Sequence, residues 1–141
     1  MLPVEPEGPL PGFVTSLRFR ATSAEDAARV VARLREVTDL LSGFAGFVDA
    51  RVGRATDDAT LIALQVGWVN VGAYRRALSS YDVKVSAVPL LAGAIDEPSA
   101  FEVLHVRDVS GSSDAPGALA ADAGSVSLGE AAADYVPPAP S

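Results

Sequence analysis

The stretch TLIALQVGWV, residues 60–69, is apolar on both of the faces that a β-strand presents. One face carries Ile62, Leu64, Val66 and Trp68, and the opposite face carries Leu61, Ala63 and Val69. Side chains alternate along a strand, and a strand that is apolar on both faces is typical of the centre of a covered sheet. The stretch therefore predicts a central strand, around which the other elements can be arranged.

A strand and a helix are predicted near the start of the chain. Residues 13–20 alternate, with Phe13, Thr15, Leu17 and Phe19 on one face. A helix then begins at Ser23, where Asp26 three residues later resembles a capping box, and Gly43 ends it. Its apolar stripe has helical spacing and comprises Ala27, Val30, Val31, Leu34, Val37 and Leu41.

Two strands and a helical region in two pieces complete the predicted order. Residues 46–54 predict a strand in which Val48, Ala50 and Val52 face away from Phe47, Asp49 and Arg51. Asn70 can cap a helix that continues through Leu78. A second helical piece, interrupted at Pro89, covers residues 81–94. Residues 101–106 predict the last strand. The order β-α-β-β-α-β predicts an α+β, ferredoxin-like fold with a four-stranded antiparallel sheet.

The composition divides the chain into three parts. Residues 1–12 form a proline-rich extension, residues 13–107 the folded domain, and residues 108–141 an acidic tail. Of the 34 tail residues, 23 are Ala, Gly, Ser or Pro and none is basic, so we expect the tail to be mostly disordered.

Charge and residue usage exclude several classes of function. The chain has 141 residues, 18 acids and 11 bases, hence a net charge of −7, which disfavours binding to nucleic acids or anionic membranes. It has no cysteine and one histidine, so thiolate catalysis is excluded and no metal site is expected. No stretch of 18 apolar residues occurs, and we expect a soluble, cytoplasmic protein.

Two helical layers cover only one face of such a sheet, so the other face is expected to be an interface. The apolar residues predicted there are Val14, Leu61, Ala63, Val69 and either Leu104 or Val106. An exposed apolar patch on a soluble protein marks an interaction surface. The sequence therefore predicts a two-fold homodimer that closes sheet to sheet.

Three short motifs resemble the antibiotic biosynthesis monooxygenase family of dimeric α/β-barrel proteins. They are Gly-Phe-Ala-Gly-Phe at 43–47, Gln-Val-Gly-Trp at 65–68 and Ala-Tyr-Arg-Arg-Ala-Leu at 73–78, and the resemblance extends over residues 13–106. It implies a pocket between the helices and the sheet. Enzymes of the family oxidise flat aromatic or quinol-like molecules with O2 and without metal or flavin, and another branch degrades haem.

The resemblance also suggests which residues form the site. Trp68 and Tyr74 match an aromatic wall and a tyrosine of quinol-oxidising relatives and are the catalytic candidates, while Thr15, Leu17 and Leu64 complete the expected substrate-binding set. Leu64 stands where those relatives have an asparagine. Thr15 stands where the haem-degrading branch has an asparagine, and no histidine occurs in the predicted last helix, which disfavours haem degradation. No cofactor is expected.

Less specific interpretations remain open for these residues. Trp68 and Tyr74 also fit a packing role, because buried aromatic side chains usually serve the core. Arg18 and Arg20 are interpreted as interface or solvent-facing charges, and His105 as a structural residue. Three functions follow: an oxygenase for a small aromatic molecule, a non-catalytic module that binds a hydrophobic ligand, and a dimeric scaffold.

Overall fold

The computed structural model describes residues 10–114. Within this range no helix has the length and apolar character needed to cross a membrane. The elements occur in the order β1 (Phe13–Arg20), α1 (Ala24–Leu41), β2 (Phe47–Ala55), β3 (Asp58–Trp68), α2 (Val71–Leu78), α3 (Tyr81–Ser86), α4 (Val88–Leu91), β4 (Ala100–Glu102), β5 (His105–Asp108) and β6 (Gly111–Asp114).

The main sheet has four strands in the order β2-β3-β1-β4, and every neighbouring pair is antiparallel. Strand β3 therefore lies inside the sheet, paired with β1 on one side and β2 on the other, as its two apolar faces predict. With α1 inserted between β1 and β2, and α2–α4 between β3 and β4, the arrangement is the α+β ferredoxin-like fold expected from the sequence.

The two longest helices begin at the predicted caps. The Ser23 hydroxyl accepts a hydrogen bond from the Asp26 backbone N–H at 3.1 Å, and the Asn70 side-chain oxygen accepts one from the Ala73 N–H at 2.9 Å. Each bond satisfies a donor that the first turn of a helix leaves free. The break between α3 and α4 falls at Ala87, just before the Val88-Pro89 pair that opens α4.

One face of the sheet, here called the inner face, packs against the helices and holds the core. The alternating positions of β1 and β3 point into it as predicted, and so does the stripe of α1. The buried side chains of these three elements are Phe13, Thr15, Phe19, Ala27, Leu34, Val37, Leu41, Ile62, Leu64, Val66 and Trp68. The core is thus built mainly from three segments that sequence periodicity identifies.

The predicted alternation in β2 is wrong at Phe47. The register shifts between Phe47 and Asp49, so that Phe47 pairs with Trp68 while Asp49 pairs with Gly67. This bulge adds one residue to β2 and therefore turns Phe47 to the same inner face as Ala50 and Val52. Strict period-two reasoning placed Phe47 on the opposite face.

The prediction of one last strand over residues 101–106 is also wrong. Strand β4 ends at Glu102, and residues 105–114 form a separate hairpin, β5–β6, whose turn carries the fully exposed Val109. The hairpin crosses position 107, where the composition placed the start of a disordered tail, because the turn at Asp108 is locally stabilised. The Asp108 carboxylate accepts hydrogen bonds from the backbone N–H groups of Ser110 and Gly111. The remaining tail, 115–141, lies outside the described residues.

The opposite face of the sheet, here called the outer face, is less apolar than predicted. Val14, Leu61 and Ala63 lie on it as expected from the register, but Val69 follows the end of β3 and packs against the core cluster. Val106 belongs to the hairpin, and Leu104 lies between β4 and β5 with 63% of its surface exposed.

Polar groups occupy much of the outer face. Arg18 forms two hydrogen bonds of 2.7 Å with the Glu97 carboxylate, and Arg20 pairs with Asp58. Arg18 and Arg20 are therefore neutralised within the chain. Farther along this face is a groove of about 150 Å³, lined by Val14, Thr15, Ser16, Asp49, Arg51, Gln65, Val66 and Gly67.

Candidate aromatic site

Four aromatic rings meet on the inner face near the end of the sheet where β1 and β2 begin. Phe13 on β1 and Phe47 on β2 both pair with Trp68 on β3, so the three side chains lie side by side across the sheet. Tyr74 comes from α2, which packs over that end. We call these four residues the aromatic cluster.

The rings of the aromatic cluster are in direct contact. The Phe47 and Trp68 centroids are 5.6 Å apart with planes at 89°, an edge-to-face arrangement, and the Trp68 and Tyr74 centroids are 6.2 Å apart. Phe13 and Tyr74 approach to 5.1 Å. These spacings are in the range at which aromatic pairs attract through their quadrupoles. The structure thus brings the two predicted catalytic residues together and adds two phenylalanines.

The indole N–H of Trp68 is buried and has no hydrogen-bond partner. Trp68 is 1% exposed, and Nε1 is the one buried side-chain nitrogen or oxygen atom of residues 10–114 that lacks a partner. Leaving such a donor unsatisfied costs about 1–3 kcal/mol, and buried tryptophans usually find an acceptor for their N–H. The indole therefore combines a large apolar contact surface with a free donor.

Tyr74 is partly buried and carries the second donor of the cluster. Burial raises the pKa of its phenol to about 12, because the charged phenolate is poorly solvated there. At neutral pH the side chain is accordingly a neutral phenol. It can donate a hydrogen bond, but it is too weak an acid to serve as a resident phenolate base.

The other three predicted binding residues lie along the inner face at increasing distance from Trp68. Thr15 is next but one to Phe13 and pairs with Val66, and it is the one polar residue among the buried residues of the described chain. Leu17 pairs with Leu64, about 14 Å along the strand from Phe13 at ordinary strand rise. Thr15 therefore borders the aromatic cluster, whereas Leu17 and Leu64 belong to the apolar floor beyond it.

Sequence reasoning missed Phe13 and Phe47 as members of the site. Alternation in β1 predicts the correct face for Phe13, but only the pairing of β1 with β3 puts it beside Trp68. Alternation in β2 predicts the wrong face for Phe47, because it does not account for the bulge. The sequence nevertheless contains a signal for the bulge, namely Gly46 just before the strand. Glycine is common where the chain enters a strand through an unusual backbone conformation.

Comparison with known proteins identifies the fold. No protein-family model and no curated protein sequence matches the chain. Among solved structures, SnoaB, a cofactor-independent oxygenase from Streptomyces nogalater, is 21% identical, with a TM-score of 0.57 over 71% of this chain and 97% of that one. The chain has the fold of the antibiotic biosynthesis monooxygenases.

Two further structures agree with this assignment. A candidate antibiotic biosynthesis monooxygenase from Deinococcus radiodurans is 20% identical, with a TM-score of 0.55 over 70% of this chain and 99% of that one. A protein described in the same way from Chloroflexus aurantiacus is 21% identical, with a TM-score of 0.53 over 69% of this chain and 97% of that one. The fold implied by the motifs at 43–47, 65–68 and 73–78 is therefore confirmed.

Proposed function

We propose that the chain is a cofactor-independent oxygenase that acts with O2 on a flat aromatic or quinol-type molecule bound at the aromatic cluster. The observation that carries the proposal is the buried N–H of Trp68, which has no partner although it is surrounded by aromatic rings. A bound molecule with an oxygen on an aromatic ring would satisfy that donor. The fold shared with SnoaB is consistent with this chemistry.

The proposed reaction needs an electron-rich substrate and molecular oxygen. For an anthrone, a CH2 group becomes a carbonyl: O2 accepts four electrons, one of its oxygen atoms enters the product, and the other leaves as water with the two carbon-bound hydrogens. Removal of a proton from the substrate places negative charge on its ring oxygen. The Trp68 N–H is a donor that would stabilise this charge, and such stabilisation is strong where water is excluded.

Tyr74 has a complementary role in this proposal. Its phenol is neutral at pH 7, and burial, which raises its pKa to about 12, keeps it neutral in more alkaline solution as well. It therefore acts as a second hydrogen-bond donor and as one wall for the substrate ring. The first proton of the substrate then leaves to solvent or to a basic group on the substrate itself. Substrates that are already acidic at neutral pH are therefore expected to react fastest.

The experiment is oxygen consumption by the full chain with a panel of anthrones and hydroquinones, compared with the rate in buffer. We expect turnover by the wild type and a fall of about 10-fold or more in Trp68→Phe, because loss of one hydrogen bond to a charged oxygen costs about 1.5–3 kcal/mol. The rate of oxygen consumption should fall by a smaller factor in Tyr74→Phe. Tyr81→Phe is the matched control, since Tyr81 is 78% exposed and lies on α3. Equal rates in all four proteins would refute the proposal.

A second candidate function is binding of a hydrophobic ligand without reaction. It is favoured by the composition of the inner face, because the buried residues of the described chain include one polar residue, Thr15, and no ionisable group. The floor beside it, Leu64 and Val66, is apolar. Quenching of Trp68 fluorescence by 1,8-dihydroxyanthraquinone without any oxygen uptake from the corresponding anthrone would favour this function over catalysis.

We also propose that the protein is a homodimer that closes through the outer sheet face, around Val14, Leu61 and Ala63. None of the helices within residues 10–114 covers this face, and Arg18 and Arg20 are already paired with acids of the same chain. Ala63→Arg should halve the mass measured by sedimentation equilibrium, whereas Ala32→Arg, on the exposed side of α1, should leave it unchanged. A monomeric wild type, or a dimer that survives Ala63→Arg, would refute this assembly.

A further inference from the structure

We infer that Gly46 is a positioning residue that sets the spacing and orientation of Trp68 and Tyr74. The inference rests on the proposed function of the aromatic cluster, but its geometric content concerns the rings themselves. Gly46 lies in the turn just before β2, outside the strands and helices. The role that we infer for it does not require contact with a ring. Its role comes from the three segments that meet at its backbone.

The backbone of Gly46 is in a conformation that favours glycine. Its backbone angle φ is +91°, a value that residues with a Cβ rarely adopt. A Cβ at this position would overlap the Cβ of Ala73 on α2 and would stand 3.0 Å from Cγ2 of Val69. The absence of a side chain therefore lets the start of β2 lie directly against the first turn of α2.

A hydrogen bond joins the same point to the end of β3. The Val69 N–H donates to the Gly46 carbonyl at 2.8 Å. Val69 follows Trp68 in the chain, and Ala73 precedes Tyr74. Phe47 follows Gly46 itself. The backbone around Gly46 thus positions residues that are adjacent in the chain to three of the four residues of the aromatic cluster.

The consequence is geometric. Trp68 lies on the sheet and Tyr74 on α2, so their 6.2 Å spacing depends on how closely α2 approaches the sheet, and the Gly46–Ala73 contact is one point of that approach. Protein interiors are packed too densely to absorb an added methyl group without a shift of the backbone. A Cβ on Gly46 is therefore expected to move α2 away from the sheet and to take Tyr74 with it.

The test uses Gly46→Ala in the full chain and exploits the fact that Trp68 is the sole tryptophan. The matched control is Gly53→Ala, within β2, the strand that begins just after Gly46, where an added Cβ meets nothing within 4 Å. Near-ultraviolet circular dichroism and emission of Trp68 report the packing of its ring. We expect Gly46→Ala to lose near-ultraviolet intensity and to shift emission to longer wavelength, and Gly53→Ala to resemble the wild type.

A second variant, Ala73→Gly, separates two effects of Gly46→Ala: the steric overlap with the Ala73 side chain and the unfavourable φ of residue 46. It removes the methyl group that faces Gly46, so Gly46→Ala combined with Ala73→Gly should recover part of the Trp68 signal. If Gly46→Ala does not fold, Ala73→Gly alone still tests the contact, and a loss of Trp68 near-ultraviolet intensity is expected because the packing is loosened. An unchanged Trp68 signal in Ala73→Gly, or an equal change in Gly53→Ala, would overturn the inference.

Oxygen uptake with 1,8-dihydroxyanthrone distinguishes this inference from the proposed function. If the wild type turns the anthrone over, Gly46→Ala should lower kcat more than it raises KM, because donors are displaced from the reacting oxygen. If the wild type consumes no oxygen while Gly46→Ala still changes the Trp68 signal, the positioning role holds and the proposed function fails.

Discussion

Tyr74 offers a direct test of whether the aromatic cluster is as buried as the geometry indicates. Burial raises the pKa of Tyr74 from its ordinary value of 10.0 to about 12. The folded state then holds the phenolic proton more tightly than the unfolded state, so folding stability falls as pH rises above 10. For a shift of two units the loss is about 1.4 kcal/mol by pH 11, and it increases toward pH 12.

The assay is urea unfolding of the wild type and of Tyr74→Phe at intervals between pH 8 and pH 11. The difference in unfolding free energy between the two proteins should be constant to about pH 9.5 and should then shrink, because phenylalanine does not titrate. With a urea slope of about 1–3 kcal/mol per molar, the wild-type midpoint should move by roughly 0.5–1.4 M relative to the variant at pH 11. A difference that stays constant to pH 11 would show that the pKa of Tyr74 is the same in the folded and unfolded states, and would refute its assignment as a buried donor.

Three further predictions concern the framework that holds the site. Hydrogen bonds from Thr60 and the contact with Arg20 lower the pKa of Asp58 to about 2, so Asp58→Asn should be less stable than the wild type at pH 7, with the difference disappearing as pH falls from 4 to 2 in acid-unfolding curves. Asn70→Ala removes the cap of α2 and should cost about 1 kcal/mol in urea unfolding, whereas Asn70→Asp should cost much less. Leu34→Ala, at a fully buried position of α1, should cost about 2–5 kcal/mol in the same assay, and a cost below 1 kcal/mol would contradict its place in the core.

The sequence predicts the framework well because the framework depends on local patterns. Alternation in residues 13–20 and 60–69 identifies the two strands that carry most of the inner face, and Ser23 and Asn70 cap the helices where predicted. In each case a few neighbouring residues, one or two helical turns or repeats of the strand, are enough to identify the element. The order of these elements then restricts the topology to the ferredoxin-like arrangement.

The composition of the site is harder to predict because it depends on pairing between distant segments. Phe13 and Phe47 become neighbours of Trp68 through the register of β1, β2 and β3, and the bulge beside Phe47 reverses the face that alternation assigns to it. The unpartnered N–H of Trp68 is likewise a property of the packed interior, since every polar group within reach must be known before a donor can be called unsatisfied. Such features follow from tertiary structure, not from periodicity.

The irregular backbone of β2 also affects how the protein avoids uncontrolled association. As the outermost of the strands that residues 10–114 contribute to the main sheet, β2 has one row of backbone donors and acceptors with no neighbouring strand among those residues. Such a row is a template for adding strands from other molecules, which leads to fibre-like polymers. The register shifts near both ends of β2, together with the exposed charges of Arg51 and Arg54, interrupt that template. The bulge that brings Phe47 to Trp68 thus also makes the sheet margin a poor seed for aggregation.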